Sequence, residues 1–182
     1  MAYPHVDHVI ERLWRPGQPG GPRPEVFALL DAARDPRIYA LMRRCRLDHR
    51  CLYQGALPLE LAAAAPYLVN LTPRSPFTRE LLEPGWGQSW GIFLRSPVIL
   101  QDLVRHFRKF LLVEDDRGRS LFFRFYDPRV LRAYLPTCTP GELRTFFGPV
   151  DGYCLEGEEE DTMLELSPGP NGLAKRIVYL GS

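Results

Sequence analysis

The residues with the most direct claim to chemistry are Gly87-Gln-Ser89-Trp-Gly91, which match the G-x-S-x-G pattern of a serine nucleophile letter for letter. Such an elbow holds its serine on a sharp turn between a preceding strand and a following helix. Here a helix-like run and a Pro-Gly turn come first, and the strand-like Trp90-Gly-Ile-Phe-Leu94 follows. The one imidazole downstream, His106, sits among Arg105, Arg108 and Lys109. A serine hydrolase using Ser89 therefore stands only as the alternative reading. Metal chemistry has weaker claims. Cys45, His49 and Cys51 gather two thiols and an imidazole, but their spacing fits none of the common zinc patterns and a fourth ligand is missing. His5 and His8 lie three apart without a third ligand, and Glu156-Gly-Glu-Glu-Glu-Asp161 reads as a solvated hairpin tip rather than a cation site. Basic residues with interleaved aromatics can bind single-stranded nucleic acid, and Arg105 to Lys109 would be that module, yet the patch is one or two helix turns wide. No catalytic residue, metal or cofactor is expected.

The elements that would position these residues belong to one domain. With 182 residues, of which 45% are hydrophobic, the chain can bury one sizeable core but not two comfortable ones. A formal net charge of +1 gives no global field towards nucleic acid or an anionic membrane. All the basic residues except Lys109 and Lys175 are arginines. Without a signal-peptide pattern or an apolar run of spanning length, a cytoplasmic protein is expected, and its four cysteines are expected to be reduced.

Along the chain, Val6, Val9, Ile10 and Leu13 recur at helical spacing ahead of a Pro/Gly-rich stretch, so residues 1–24 read as an N-terminal appendage on a linker. Residues 25–150 read as the core domain. Val26 to Asp31 is a buried strand, and Asp35-Pro36-Arg37 opens a helix. Cys51 to Gln54 and Tyr67 to Leu71 are strands separated by a short helix at Leu59 to Ala64. Ser75-Pro76 opens a helix that Gly85 closes, and Ser96-Pro97 begins the longest helix. Leu111 to Val113 and Leu121 to Tyr126 form a hairpin expected in the middle of the sheet. Thr139-Pro-Gly-Glu142 is a capping box with proline at the first helical position. Residues 151–182 read as a divergent β segment packed on the core. The fold class is α/β, a mixed sheet flanked by helices.

At the centre of this plan, Leu121-Phe-Phe-Arg-Phe-Tyr-Asp-Pro-Arg-Val-Leu-Arg-Ala-Tyr-Leu-Pro136 turns a run of β-favouring aromatics into a short amphipathic helix at a single Asp-Pro step. Asp127 caps that helix and Pro128 takes its first position, where the missing N–H costs nothing. This corner, with Leu52-Tyr-Gln-Gly55, Ala65-Pro-Tyr-Leu-Val69, Gly85-Trp-Gly-Gln-Ser-Trp-Gly-Ile-Phe93 and Phe146-Phe-Gly148-Pro149, resembles the Tap/Tec-type adaptor domain from about Val26 to Val150. The resemblance implies no enzymatic activity. It implies a chaperone or adaptor that binds a type VI secretion effector, encoded beside it, and helps load it onto the VgrG/PAAR spike, with no nucleic acid and no membrane as partner. Trp86, Trp90, Tyr126, Arg129 and Arg132 lie in the resembling motifs and are of the residue types that dominate interfaces, so they are the expected partner contacts, while Asp127, Pro128 and Gly148 are expected to be structural.

Overall fold

Val26-Phe-Ala-Leu-Leu-Asp31 carries no polar side chain before its last residue, and the strand it forms is buried on both faces. Such a strand must lie inside a sheet covered by helices on each side. The computed structural model describes residues 4–17, 20–21, 23–115, 117–159 and 161–181. Parts of the linker, of the hairpin loop (Asp116) and of the acidic loop (Glu160) thus lie outside the described residues. The elements in chain order are α1 (Pro4–Leu13), β1 (Val26–Asp31), α2 (Pro36–Arg44), β2 (His49–Cys51), α3 (Leu59–Ala63), β3 (Pro66–Leu71), α4 (Pro76–Gly85), β4 (Gly91–Arg95), α5 (Leu100–Arg108), β5 (Leu112–Glu114), β6 (Ser120–Phe122), α6 (Pro128–Tyr134), α7 (Pro140–Phe147), β7 (Gly152–Glu156), β8 (Thr162–Gly169) and β9 (Gly172–Tyr179).

Seven strands form one sheet in the order β2-β3-β1-β4-β7-β8-β9. The α/β class read from the sequence is the class of the fold. Among the described residues every strand pairing is antiparallel, so the parallel component of a mixed sheet is not among them. The reason lies in the crossovers. The strand-helix-strand units β1-α2-β2 and β3-α4-β4 each join strands separated by one other strand, and that intervening strand points the other way. Alternation along β1 then sorts the core into two layers. Val26, Ala28 and Leu30 meet Ile38 and Leu41 of α2 and Leu81 and Leu82 of α4 on one face. Phe27 and Leu29 meet Leu103 and Phe107 of α5, Leu131 of α6 and Phe146 of α7 on the other. Close approach is demanded at Gly91, which pairs with Leu30; a Cβ there would stand 2.3 Å from the Leu29 carbonyl oxygen.

Several expectations need correction. Residues 4–14 are not an appendage: Val6, Val9, Leu13 and Trp14 are buried in the first layer of the core, and Arg12 reaches Glu165 of β8 at 2.5 and 2.8 Å. The hairpin is not in the middle of the sheet. β5 and β6 make a separate two-stranded sheet, with Leu112 opposite Phe122 and Val113 opposite Leu121, and these four side chains are exposed. Its second strand ends at Phe122, and Phe125 and Tyr126 enter the core from a turn instead. β2 stops at Cys51, because Leu52 is drawn into the core and Arg108 of α5 takes its carbonyl oxygen at 2.9 Å. Ser96 does not cap α5, which starts at Leu100; its hydroxyl donates to the Pro149 carbonyl at 2.7 Å, joining the end of β4 to the turn before β7.

Candidate functional site

The two Asp-Pro-Arg steps fold in the same way. In each, the aspartate is the N-cap, proline holds the first helical position, and the arginine folds back onto the capping carboxylate. Asp127 Oδ1 accepts the Arg129 N–H at 2.9 Å and its Nε at 3.0 Å, while Nη2 reaches Oδ2 at 2.5 Å. At Asp35 the corresponding distances to Arg37 are 2.8, 3.0 and 2.7 Å. The fork from Arg37 holds the Asp35 carboxyl below the usual carboxylate range. Burial pushes Asp127 up, but the Arg129 side chain and amide outweigh it and hold it below its ordinary value as well. We expect Asp127→Ala to cost about 1–2 kcal/mol in urea unfolding, because the first turn of α6 loses both its cap and the fork; a cost under half of that would assign the capping to another group.

Tertiary structure brings these steps together around the Gly85 to Trp90 turn. Asp31, at the end of β1, donates its N–H to the Trp90 carbonyl at 2.8 Å, and Arg34 Nε donates to the Gln88 carbonyl at 3.1 Å. The Arg37 guanidinium lies over the Trp90 ring, 4.9 Å from its centroid. From β7, the Glu156 carboxylate accepts the Ser89 N–H at 3.0 and 3.1 Å, with Ser89 in the left-handed region at φ 56. Burial pushes the Glu156 carboxyl up to about 7, against the opposing pull of the Ser89, Gly87 and Gln88 amides and of Arg132. Arg132 of α6 donates to the carbonyls of Glu156 and Gly157 at 2.8 and 2.9 Å. The fully buried Asp31 carboxylate pairs with Arg124, the one charge in the aromatic run. Asp31, Arg124, the two Asp-Pro-Arg steps, the turn and Glu156 therefore form one interlocked polar cluster beside the ends of β1 and β7.

The expected partner contacts divide. Trp90 and Tyr126 are core residues, not surface anchors: Trp90 packs in the first layer against Gly85, Tyr126 in the second, where burial raises the pKa of its hydroxyl. Both are drawn in by the turn and corner that carry them. Trp86 is half-buried against Phe93, with ring centroids 6.0 Å apart. Arg132 is mostly buried by its carbonyl contacts, and Arg129 is the exposed member of the set. Gly148 ends α7 at φ 49, over the buried His106 ring, whose Nε2 lies 2.8 Å from the Phe146 carbonyl oxygen. Sequence reasoning missed Asp31, Arg124 and Glu156 as a constellation. The signal was present in that Asp31 and Glu156 each end an apolar strand, a place where a charge is buried or paired.

As chemistry, this cluster clamps. Its carboxylates are engaged by arginines or amides, Ser89 stands on a helix-turn-strand connection, and among the described residues no group of three His, Cys, Asp or Glu side chains could hold a metal. No described helix is long and apolar enough to cross a membrane. No curated protein and no solved structure matches the chain. Residues 26–145, well over half of the sequence and including the corner, both Asp-Pro-Arg steps and the Gly85 to Trp90 turn, match the domain of unknown function DUF4123, and the chain belongs to that family.

Proposed function

We propose that this protein is a non-enzymatic cytoplasmic adaptor that binds a type VI secretion effector and helps to load it onto the VgrG/PAAR spike. The observation that carries this reading is the family match, since DUF4123 is associated with type VI secretion effector loading. The geometry supports it in two ways. The best-conditioned polar cluster is used to hold backbone turns in place rather than to present an activated nucleophile. Inside the matched segment, the β5–β6 hairpin exposes apolar side chains on both of its faces, with Phe122 at 65% exposure, and apolar surface of that kind is characteristic of protein contacts.

Co-expression with the effector encoded beside it should yield a complex that survives size-exclusion chromatography. Failure to retain either the effector or the spike protein would sink the adaptor reading. The absence of catalysis has its own check. Wild-type protein should not be labelled by a fluorophosphonate probe, and Ser89→Ala should retain effector binding, since the Ser89 amide that Glu156 holds is kept. Labelling lost in Ser89→Ala would instead establish a serine hydrolase.

A further inference from the structure

β8 pairs with the inner edge of β9 from Gly172 to Tyr179, and among the described residues no strand pairs with the outer edge. The Leu180 N–H donates to the Asp161 carbonyl at 2.8 Å, which sets the alternation of the ladder. Ala174, Arg176 and Val178 therefore turn their backbone groups towards β8, while Leu173, Lys175, Ile177 and Tyr179 turn theirs outward. Edges are ordinarily blunted by charged side chains, proline, bulges or brevity, and of these β9 carries only the charges of Lys175 and Arg176. The opposite edge of this sheet, β2, has only three residues, whereas β9 has eight, contains no proline and pairs with β8 without a bulge.

Each face beside this edge has its own pocket. On one, Arg176 lines a cleft of about 450 Å³ with Arg12, Arg15, Arg95 and Glu165. Arg12 and Arg95 hold Glu165 at 2.5 and 3.0 Å, so Arg176, which stands opposite Glu165 in the ladder, and Arg15 make no ion pair among the described residues. That cleft suits a carboxylate. On the other face, Lys175 and Ile177 line a pocket of about 110 Å³ with Leu164 and Thr162, rimmed by Glu158 and Glu159. Arg132 and Lys175 balance those two carboxylates in its lining, and the apolar wall of Leu164 and Ile177 accepts a small hydrocarbon side chain. Ile177 and Tyr179 stand 56% and 73% exposed beside it.

We propose that the outer edge of β9 binds an extended segment of a second protein as an added strand. Its side chains alternate between acidic, towards Arg15 and Arg176, and apolar, towards Ile177 and Leu164. Main-chain pairing supplies the attachment and the two pockets read alternate side chains. Two copies of β9 paired over nearly their whole length would centre on Lys175 or Arg176 and set that cation against its own copy, which favours a different chain as the occupant. That the segment belongs to an effector rests on the adaptor reading; the edge and its pockets do not.

The test is fluorescence anisotropy with a labelled, end-capped peptide of the length of β9 that alternates Glu and Val, against a Lys/Val control. The full-length protein should bind the Glu/Val peptide in a salt-sensitive manner and ignore the control. Ile177→Pro removes an outward N–H while sparing the β8 ladder, and Arg176→Glu reverses the cleft; each should weaken binding by about tenfold or more with an unchanged melting curve. If Ile177→Pro fails to fold, hydrogen exchange on the wild type decides, since the peptide should protect the Lys175 and Ile177 amides. The proposal fails if the Glu/Val peptide does not bind, if both folded variants bind it as the wild type does, or if those amides stay unprotected. Dimerisation of the wild type in sedimentation, lost in Ile177→Pro, would give the edge to a second copy instead. A bound peptide alongside failed effector co-purification would overturn the adaptor reading and leave this edge standing.

Discussion

Phe125→Ala should lower the stability of this protein by about 3–5 kcal/mol, the largest single loss expected from truncating a side chain at the corner. Phe125 is completely buried, and its ring meets those of Phe107, Phe110, Phe123, Tyr126 and Phe146 at centroid distances between 5.5 and 6.2 Å. It is the point where α5, α7 and the turn into α6 share one aromatic cluster, so its removal leaves a cavity lined from several elements that cannot all collapse into it. For a chain of this length the loss corresponds to a fall in Tm of roughly 10 °C. Phe122→Ala, three residues earlier in the same aromatic run but exposed, should change stability by no more than about 0.5 kcal/mol. Equal losses at the two positions would show that the corner does not pack as described.

The second large effect is a pH dependence set by Glu156. Glu156 is 8% exposed, and burial, which disfavours the charge more than the Ser89, Gly87 and Gln88 amides and Arg132 favour it, pushes its carboxyl up to about 7 from the 4.5 of a solvated chain. Between those two pH values the folded protein holds a proton that the unfolded chain has released. The stability contributed by neutral Glu156 is thus fully present below about pH 4.5 and is lost as pH rises through about 7. The loss amounts to roughly 3 kcal/mol, and Glu156→Gln, which keeps an acceptor for the Ser89 N–H but cannot ionise, escapes it. Urea unfolding of both proteins across that range should show the variant gaining on the wild type by that amount. Taking the difference cancels the opposite trend of Asp35, Asp127 and Glu165, whose carboxyls are held below their ordinary values. Parallel stability curves for the two proteins would mean that Glu156 is ionised in the fold throughout.

The sequence by itself determined what depends on neighbours a few residues away. Asp35-Pro36, Ser75-Pro76, Asp127-Pro128 and the Thr139–Glu142 box each begin a helix in the structure, because a cap and an N1 proline act on amides two or three residues on. The apolar run of β1 declared its burial for an equally local reason, since side chains alternate between the faces of a strand and none before Asp31 is polar. That residues from about Val26 to Val150 carry the motifs of one family was legible too, and the match to DUF4123 covers residues 26–145. What only the tertiary structure decided is which of these pieces meet. Asp31 and Arg124 are 93 residues apart and Ser89 and Glu156 are 67 apart, and no periodicity links them. The amphipathic stripe of α1 looked like that of a free appendage until the first core layer was seen to receive it. Trp90 and Tyr126 are residues that suit an interface or a core equally well, and the choice fell to the core because β1 and the corner deliver both of them inward. The open edge of β9 is likewise a property of strand order, which depends on long-range pairing and is invisible in the spacing of any one segment.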